Sequence, residues 1–216
     1  MKNRVPVPTV WDPRYSTDAA PLTSTSKQAR VVEQAERFGL IDRQLAPVRT
    51  SEDVFREIAR YHDPAYVEAV RTGEPRRLAE SQGFTWSPRF AESVAQIWHG
   101  HRHALRLLHE YPLVLHPVSG AHHAHRARGG GFCTFNYLIG AADWHLNKNE
   151  RCLIIDLDAH LGDGTLAFAK DDERFVIFDI HSGSRTGAES WRPHFCYEVQ
   201  HARHYLQVLR TQLPLF

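Results

Sequence analysis

Apolar positions in this chain fall into two kinds of run. Two runs are continuous: Leu153-Ile154-Ile155, leading into Asp156, and Phe175-Val176-Ile177-Phe178, leading into Asp179. Short unbroken runs of branched and aromatic residues mark strands covered on both faces, as in parallel sheets. The second follows the first at a distance that predicts a parallel neighbour reached through a helical crossover. The remaining apolar residues recur at helical spacing. Val31, Val32, Ala35 and Phe38 form one stripe, which Gly39 ends. Ser51 is the expected cap of a second helix, with Glu52 and Asp53 in its first turn and Val54, Phe55, Ile58 and Tyr61 on its apolar side.

Asp63-Pro64 and Ser87-Pro88 each place a capping side chain just before a proline at the first helical position. The first of these helices should end near Gly73. The second is long, with Phe90, Val94, Ile97, Trp98, His101, Leu105 and Leu108 along one face, where His101 reads as a packed core histidine. Further helices are predicted over 135–146 and 202–209, and short strands over 7–11 and 113–117. Strands interleaved with helices define an α/β chain.

Bulk properties narrow the function. With 216 residues, the chain is one domain of ordinary size or a piece of a larger α/β one. A net charge of +1 gives no electrostatic footprint for nucleic acid or a membrane surface. No apolar run approaches membrane-spanning length, and the N-terminus lacks a signal-peptide core, so the expected location is the cytoplasm. Cys133, Cys152 and Cys196 show no paired spacing, which suits three unbridged thiols in a reducing compartment.

Candidate chemistry gathers where the first continuous strand ends: Asp156-Leu157-Asp158-Ala159-His160-Leu161-Gly162-Asp163-Gly164-Thr165. Side chains alternate along a strand, so Asp156, Asp158 and His160 start on one face and continue off its end. Two carboxylates and an imidazole converging there repel or stay unpaired unless a cation or other histidines share the space. Gly162 and Gly164 let the backbone turn tightly around them. Upstream, Ser119-Gly120-Ala121-His122-His123-Ala124-His125 follows the short strand over 113–117. Adjacent histidines on an irregular segment point in different directions, so each can find its own carboxylate. Asp156 and Asp163 are the evident partners of His122 and His123, which leaves Asp158 and His160 free to hold a metal. That arrangement is suited to metal-assisted hydrolysis with oriented histidines moving protons.

Three other motifs admit a different chemistry. The glycine run Gly129-Gly130-Gly131 follows no long strand and lacks the Lys-Ser/Thr of a phosphate-binding loop. Cys133 has no second cysteine nearby and reads as a buried thiol rather than a zinc ligand. Asp156-Leu157-Asp158 superficially fits an Asp-x-Asp phosphatase, but His160 stands where Thr or Val is wanted, and His122-His123 goes unexplained.

The motifs His122-His123-Ala124, Gly131-Phe132-Cys133-Thr134-Phe135-Asn136 and Asp156 to Thr165, in this order, resemble the zinc-dependent histone deacetylase family, particularly its bacterial members. Weaker similarity covers nearly everything from Val7 to Leu213. The resemblance implies an arginase/deacetylase-like α/β fold, a mostly parallel sheet flanked by helices, formed here by residues 1–216 as one incomplete domain. It implies Zn²⁺ on Asp158 and His160, with His123 and Asp163 as general base and then acid. His122 and Asp156 would support the developing charge. Phe132 would wall a channel for an acyl-lysine stem, and the Gly131 carbonyl would accept the substrate amide hydrogen. Tyr15 and the segment Thr23 to Lys27 would run beside the mouth. A structural K⁺ often lies between the two strands, where Asp179 could help; capping the turn after the strand is the other reading of that aspartate.

The pattern also departs from the family. Its third metal ligand is an aspartate on a later strand, and its oxyanion-stabilising tyrosine lies later still. Asp179 is the last aspartate here, and the residues from His181 onward offer Glu189, Glu198 and histidines. In the resembling fold, the absent strands sit centrally between the strand leading to His122 and the one leading to Asp158. The expected function is therefore hydrolysis of N-acetyl-lysine or a related N-acyl amine, with little activity from this chain alone. The alternative is a catalytically inactive remnant or an acyl-group binding or interaction protein.

Overall fold

The computed structural model describes residues 5–16, 27–46, 49–140, 144, 150–182 and 195–215. Five strands make two separate parallel sheets. Strand β1 (Val7–Val10) pairs with β2 (Ile41–Gln44), and helix α1 (Lys27–Arg37) connects them. The second sheet has the order β3 (Cys152–Asp156), β4 (Phe175–His181), β5 (Phe195–Glu198). Helix α6 (Asp163–Ala169) supplies the predicted crossover between β3 and β4.

Local signals explain most of the helix ends. Helix α3 (Pro64–Thr72) starts on Asp63, whose carboxylate accepts from the Ala65 and Tyr66 N–H groups, and stops at left-handed Gly73. Helix α5 (Pro88–Leu107) starts on Ser87, which accepts from the Phe90 N–H. Helix α2 (Ser51–Ile58) is capped by Thr50 rather than Ser51: the Thr50 hydroxyl accepts from the Asp53 N–H at 3.2 Å. Either hydroxyl can cap a helix, and the chain takes the earlier one. A four-residue helix α4 (Arg76–Ala79) and the C-terminal α7 (Ala202–Gln212) complete the set.

Two further expectations are corrected. The segment over 113–117 is not a strand; only Leu115 bridges β1, through Val10 N–H to its carbonyl at 2.8 Å and its own N–H to Pro8 at 2.9 Å. The helix predicted over 135–146 does not begin at Phe135. Asn136 is held by long-range bonds, its N–H to His62 and its amide to Thr165, so regular structure starts only with a 3-10 turn at Tyr137–Gly140. Residues 141–143 and 145–149 lie outside the described residues, as do Thr23 to Ser26 and the loop from Gly183 to Trp191 with Glu189.

The largest core packs Phe55, Tyr66, Trp98 and Phe135 between α2, α3 and α5. A second core, formed by Ile154, Leu166, Phe168, Phe175 and Ile177, fixes α6 on one face of the β3–β4 pair. On the other face, α7 covers Phe178 and Ile180 with Tyr205, Val208 and Leu209. That cover does not extend across β3, whose Leu153 and Ile155 remain 39% and 43% exposed. Among the described residues, no strand pairs with β3 on the side away from β4.

Candidate active site

The site lies at the carboxyl ends of β3 and β4, where open α/β sheets bind ligands. As β3 ends, successive side-chain-to-backbone bonds fold the chain back: Asp156 accepts from the Asp158 N–H at 3.0 Å, and Asp158 from the His160 N–H at 2.8 Å. Asx-type bonds of this kind replace the lost strand partners and fix both carboxylates. The end of β4 secures the same turn, with the Ser182 N–H donating to the Ala159 carbonyl at 2.8 Å. Asp179, buried at the end of β4, accepts from the Gly162 N–H at 2.9 Å and from His181 Nδ1 at 2.7 Å. Its carboxylate holds the turn after the neighbouring strand β3, not the turn that follows its own strand. Burial leads in raising its pKa, with the neighbouring Asp156 charge acting in the same direction against the two hydrogen bonds.

The histidine segment is clamped to α6. The Thr165 N–H donates to the His122 carbonyl at 3.0 Å, and the Asn136 amide donates to the Thr165 hydroxyl at 3.0 Å. Gly164 packs directly on the backbone of 122–124, leaving no room for a side chain. With the two segments thus registered, His122 Nδ1 lies 2.8 Å from Asp156 Oδ2, and His123 Nδ1 lies 2.6 Å from Asp163 Oδ1. The two imidazole centroids are 4.0 Å apart, and His160 is 5.9 Å from His123.

Each Nδ1 facing a carboxylate is the donor, which leaves Nε2 as the basic nitrogen. His122 has a raised pKa. Burial opposes its charge, but the Asp156 hydrogen bond and the charges of Asp156, Asp158 and Asp179 outweigh that cost. Asp163 is held down at about 2: burial works against its ionised form, while the bonds from His123 and His125 overcome it. His125 was not singled out in the sequence, yet its Nε2 reaches Asp163 Oδ2 at 3.1 Å, so this carboxylate serves two imidazoles. Its place two residues beyond His123 was the available signal. His62 was missed too. It is buried beneath the site, its Nδ1 donating to the His125 carbonyl at 3.1 Å and its Nε2 accepting from the Asn136 N–H at 3.0 Å.

Gly131 and Phe132 turn back over His123. Both have positive φ, 49° and 63°, and Phe132 is an uncommon non-glycine in that region. The Phe132 N–H donates to the Gln82 carbonyl at 2.9 Å, and its ring packs 5.3 Å from that of Phe84. With 36% of its surface exposed, Phe132 forms part of the wall of an apolar cavity with Phe84, Phe90, Tyr15, Gly120 and Tyr137. Cys133 is buried, and its thiol is pushed up to about 12, mainly by burial.

Asp158 and His160 are close together but turned toward each other, with His160 Nδ1 2.9 Å from Asp158 Oδ1. The nearest further donor in the pairs above is His122 Nε2, 3.9 Å from Asp158. Among the described residues, no group of three or more His, Cys, Asp or Glu side chains could hold a metal ion. A catalytic zinc site normally has three protein ligands. Asp158 and His160 are one side chain short of that number, and no third donor joins them among the described residues.

Comparison with known proteins agrees with the motifs. The model of the histone deacetylase domain matches residues 22–189. An uncharacterized protein of Picosynechococcus sp. is 32% identical over 123 residues, 56% of this chain and 41% of that protein. The acetoin utilization protein AcuC of Staphylococcus aureus is 30% identical over 138 residues, 58% of this chain and 35% of AcuC. The chain thus matches less than half the length of either relative. Its fold is similar to the crystal structure of the HDA15 HD domain, with a TM-score of 0.75 at 15% identity, over 96% of this chain and 68% of that one. The fold is α/β, with parallel sheets flanked by helices. The chain belongs to the histone deacetylase family.

Proposed function

We propose that this chain carries the proton-transfer side of a zinc-dependent deacylase acting on N-acetyl-lysine or a related N-acyl amine in the cytoplasm, and that residues 1–216 form one domain. The observation that carries the reading is the placement of two His–Asp pairs side by side, His122–Asp156 and His123–Asp163, next to Asp158 and His160. His123, with its Nδ1 proton on Asp163, has Nε2 free to take a proton from the attacking water. It then returns that proton to the departing amine nitrogen. Ionised Asp163 stabilises the imidazolium in between. His122, biased toward its charged form, faces the negative charge that develops on the carbonyl oxygen. The Gly131 carbonyl accepts the substrate amide hydrogen, and Phe132 packs the acyl-lysine stem.

Zinc, when bound, polarises an amide carbonyl and lowers the pKa of water. Asp158 and His160 would hold it, with a third ligand from outside the described residues. Asp179, buried at the end of β4, is the candidate oxygen donor for K⁺. Zinc titration of the purified chain tests the ligand assignment. We expect weak binding that Asp158→Ala and His160→Ala each abolish; binding unchanged in both variants would remove these residues from the site.

The unfilled third position favours one second reading, an acyl-group binding protein without turnover. It is separated from the first by finding saturable binding of N-acetyl-lysine with no release of acetate.

A further inference from the structure

Away from the two His–Asp pairs, a cavity of about 490 Å³ opens between the end of α2, the chain after His125, the end of α6 and the start of β4. Four guanidinium groups and two carboxylates line it, so its walls are net positive. Two of the four are already neutralised. Arg102 pairs with buried Glu57, and Arg174 pairs with Asp172 at 2.6 Å. The other two are not. Arg126 donates to the Tyr61 carbonyl at 3.0 Å and lies 4.7 Å over the Phe168 ring, contacts that leave its charge uncompensated. Arg60, the residue beside Tyr61, has no carboxylate partner among the described residues. Ile139, Trp144 and Phe175 supply an apolar wall to the same cavity, and exposed Asp171 stands at its rim.

We infer that this cavity binds a nucleoside phosphate. Guanidinium groups recognise phosphate oxygens through charge-assisted, often bidentate hydrogen bonds, and Arg60 and Arg126 have that capacity unused. The apolar wall suits a flat base. Asp171, an acceptor without a cationic partner among the described residues, suits a ribose hydroxyl. The volume is that of a small-molecule site rather than of a flat patch for an acidic peptide. The inference does not depend on the deacylase reading, since none of these side chains belongs to either His–Asp pair.

The test is calorimetric titration of the full chain, at low ionic strength, with ADP, adenosine and inorganic phosphate. ADP should bind, and adenosine and phosphate should each bind at least about tenfold more weakly, because each keeps only part of the contacts. Arg60→Glu and Arg126→Gln should each weaken ADP about tenfold or more. Arg60 is exposed, so Arg60→Glu is the informative variant if Arg126→Gln lowers the melting temperature. Added salt should weaken ADP in parallel. No ADP binding at millimolar concentration overturns the proposal, as does unchanged affinity in Arg60→Glu. Adenosine binding as tightly as ADP would show the arginines idle. Phosphate binding as tightly as ADP would reduce the cavity to a simple oxyanion site. Either result rejects the nucleoside phosphate.

Discussion

The backbone of Gly131 lies flat against the imidazole of His123, so that a Cβ at position 131 would overlap the ring. Gly131 also has φ +49°, a conformation that costs an L side chain about 1–2 kcal/mol. Both facts bear on one substitution. Gly131→Ala must either push His123 off Asp163 or unwind the turn that presents Phe132. We expect a loss of about 1–2 kcal/mol in urea unfolding. In a form with the proposed deacylase activity, turnover should fall about a hundredfold, the scale of a small misplacement of a reacting group.

Asp163 is bound by two imidazoles, and its charge sets the tautomer of both. Asp163→Asn keeps the shape but puts an amide where an acceptor is needed. Turnover of an active form should drop by about 10²–10⁴, as when the carboxylate behind a catalytic histidine is neutralised. His125→Ala removes only the second bond and should cost far less. Equal losses in the two variants would mean that His125, not His123, is the proton carrier.

His62 gives the fold a defined acid sensitivity. Its Nε2 accepts from the Asn136 N–H, so the folded chain holds the ring neutral; burial chiefly lowers its pKa to about 4. The unfolded chain binds that proton first, near pH 6.5. Above about 6.5 neither state is protonated and His62 leaves stability unchanged. As pH falls from about 6.5 to 4, only the unfolded state gains the proton, so stability is lost, by about 3 kcal/mol in all. Burial also lowers the pKa of His116 and adds to the effect. Urea midpoints measured across this range should fall with pH. His62→Gln should lower the midpoint at pH 7 yet flatten its pH dependence, and an unaltered slope would remove His62 as the cause.

Leu153 and Ile155, on the face of β3 that α7 leaves uncovered, and Leu157 just past the strand form an exposed apolar strip beside an edge that is unpaired among the described residues. An unpaired strand edge carrying such residues is a template for association. Light scattering should show concentration-dependent association of the chain, and Ile155→Lys should reduce it. Scattering that does not change in the variant would place the association elsewhere.

How far the sequence carried the reading depended on whether a residue's role was local. Asp63-Pro64, Ser87-Pro88 and Gly73 encode their helix ends within a few positions, and the structure places α3 and α5 accordingly. The continuous apolar runs gave β3 and β4 and their parallel pairing for the same reason, but not the burial of β3, which is covered on one face and exposes Leu153 and Ile155 on the other. The 135–146 helix failed at its start because Asn136 answers to His62 and Thr165, which are distant in the chain. Adjacent histidines suggested separate carboxylates, and the pairs at 2.8 and 2.6 Å have that arrangement. The spacing put His125 near His123, but its sharing of Asp163 was not legible, because that contact depends on how α6 docks on the histidine segment.

Two His–Asp pairs and two candidate metal donors make up the proposed deacylase site, which the described residues leave one ligand short. A fluorogenic acetyl-lysine assay tests this most directly, comparing the zinc-supplied chain with a version joined to the C-terminal part of a related enzyme. We expect turnover near background for the chain alone, since a catalytic zinc wants three protein ligands and the described residues supply two candidates. The joined form should turn over substrate and lose that activity on His123→Ala. Robust turnover by the chain alone, abolished by chelator and by His123→Ala, would contradict the account and show that another residue of this chain, such as Glu189, or a second subunit completes the site.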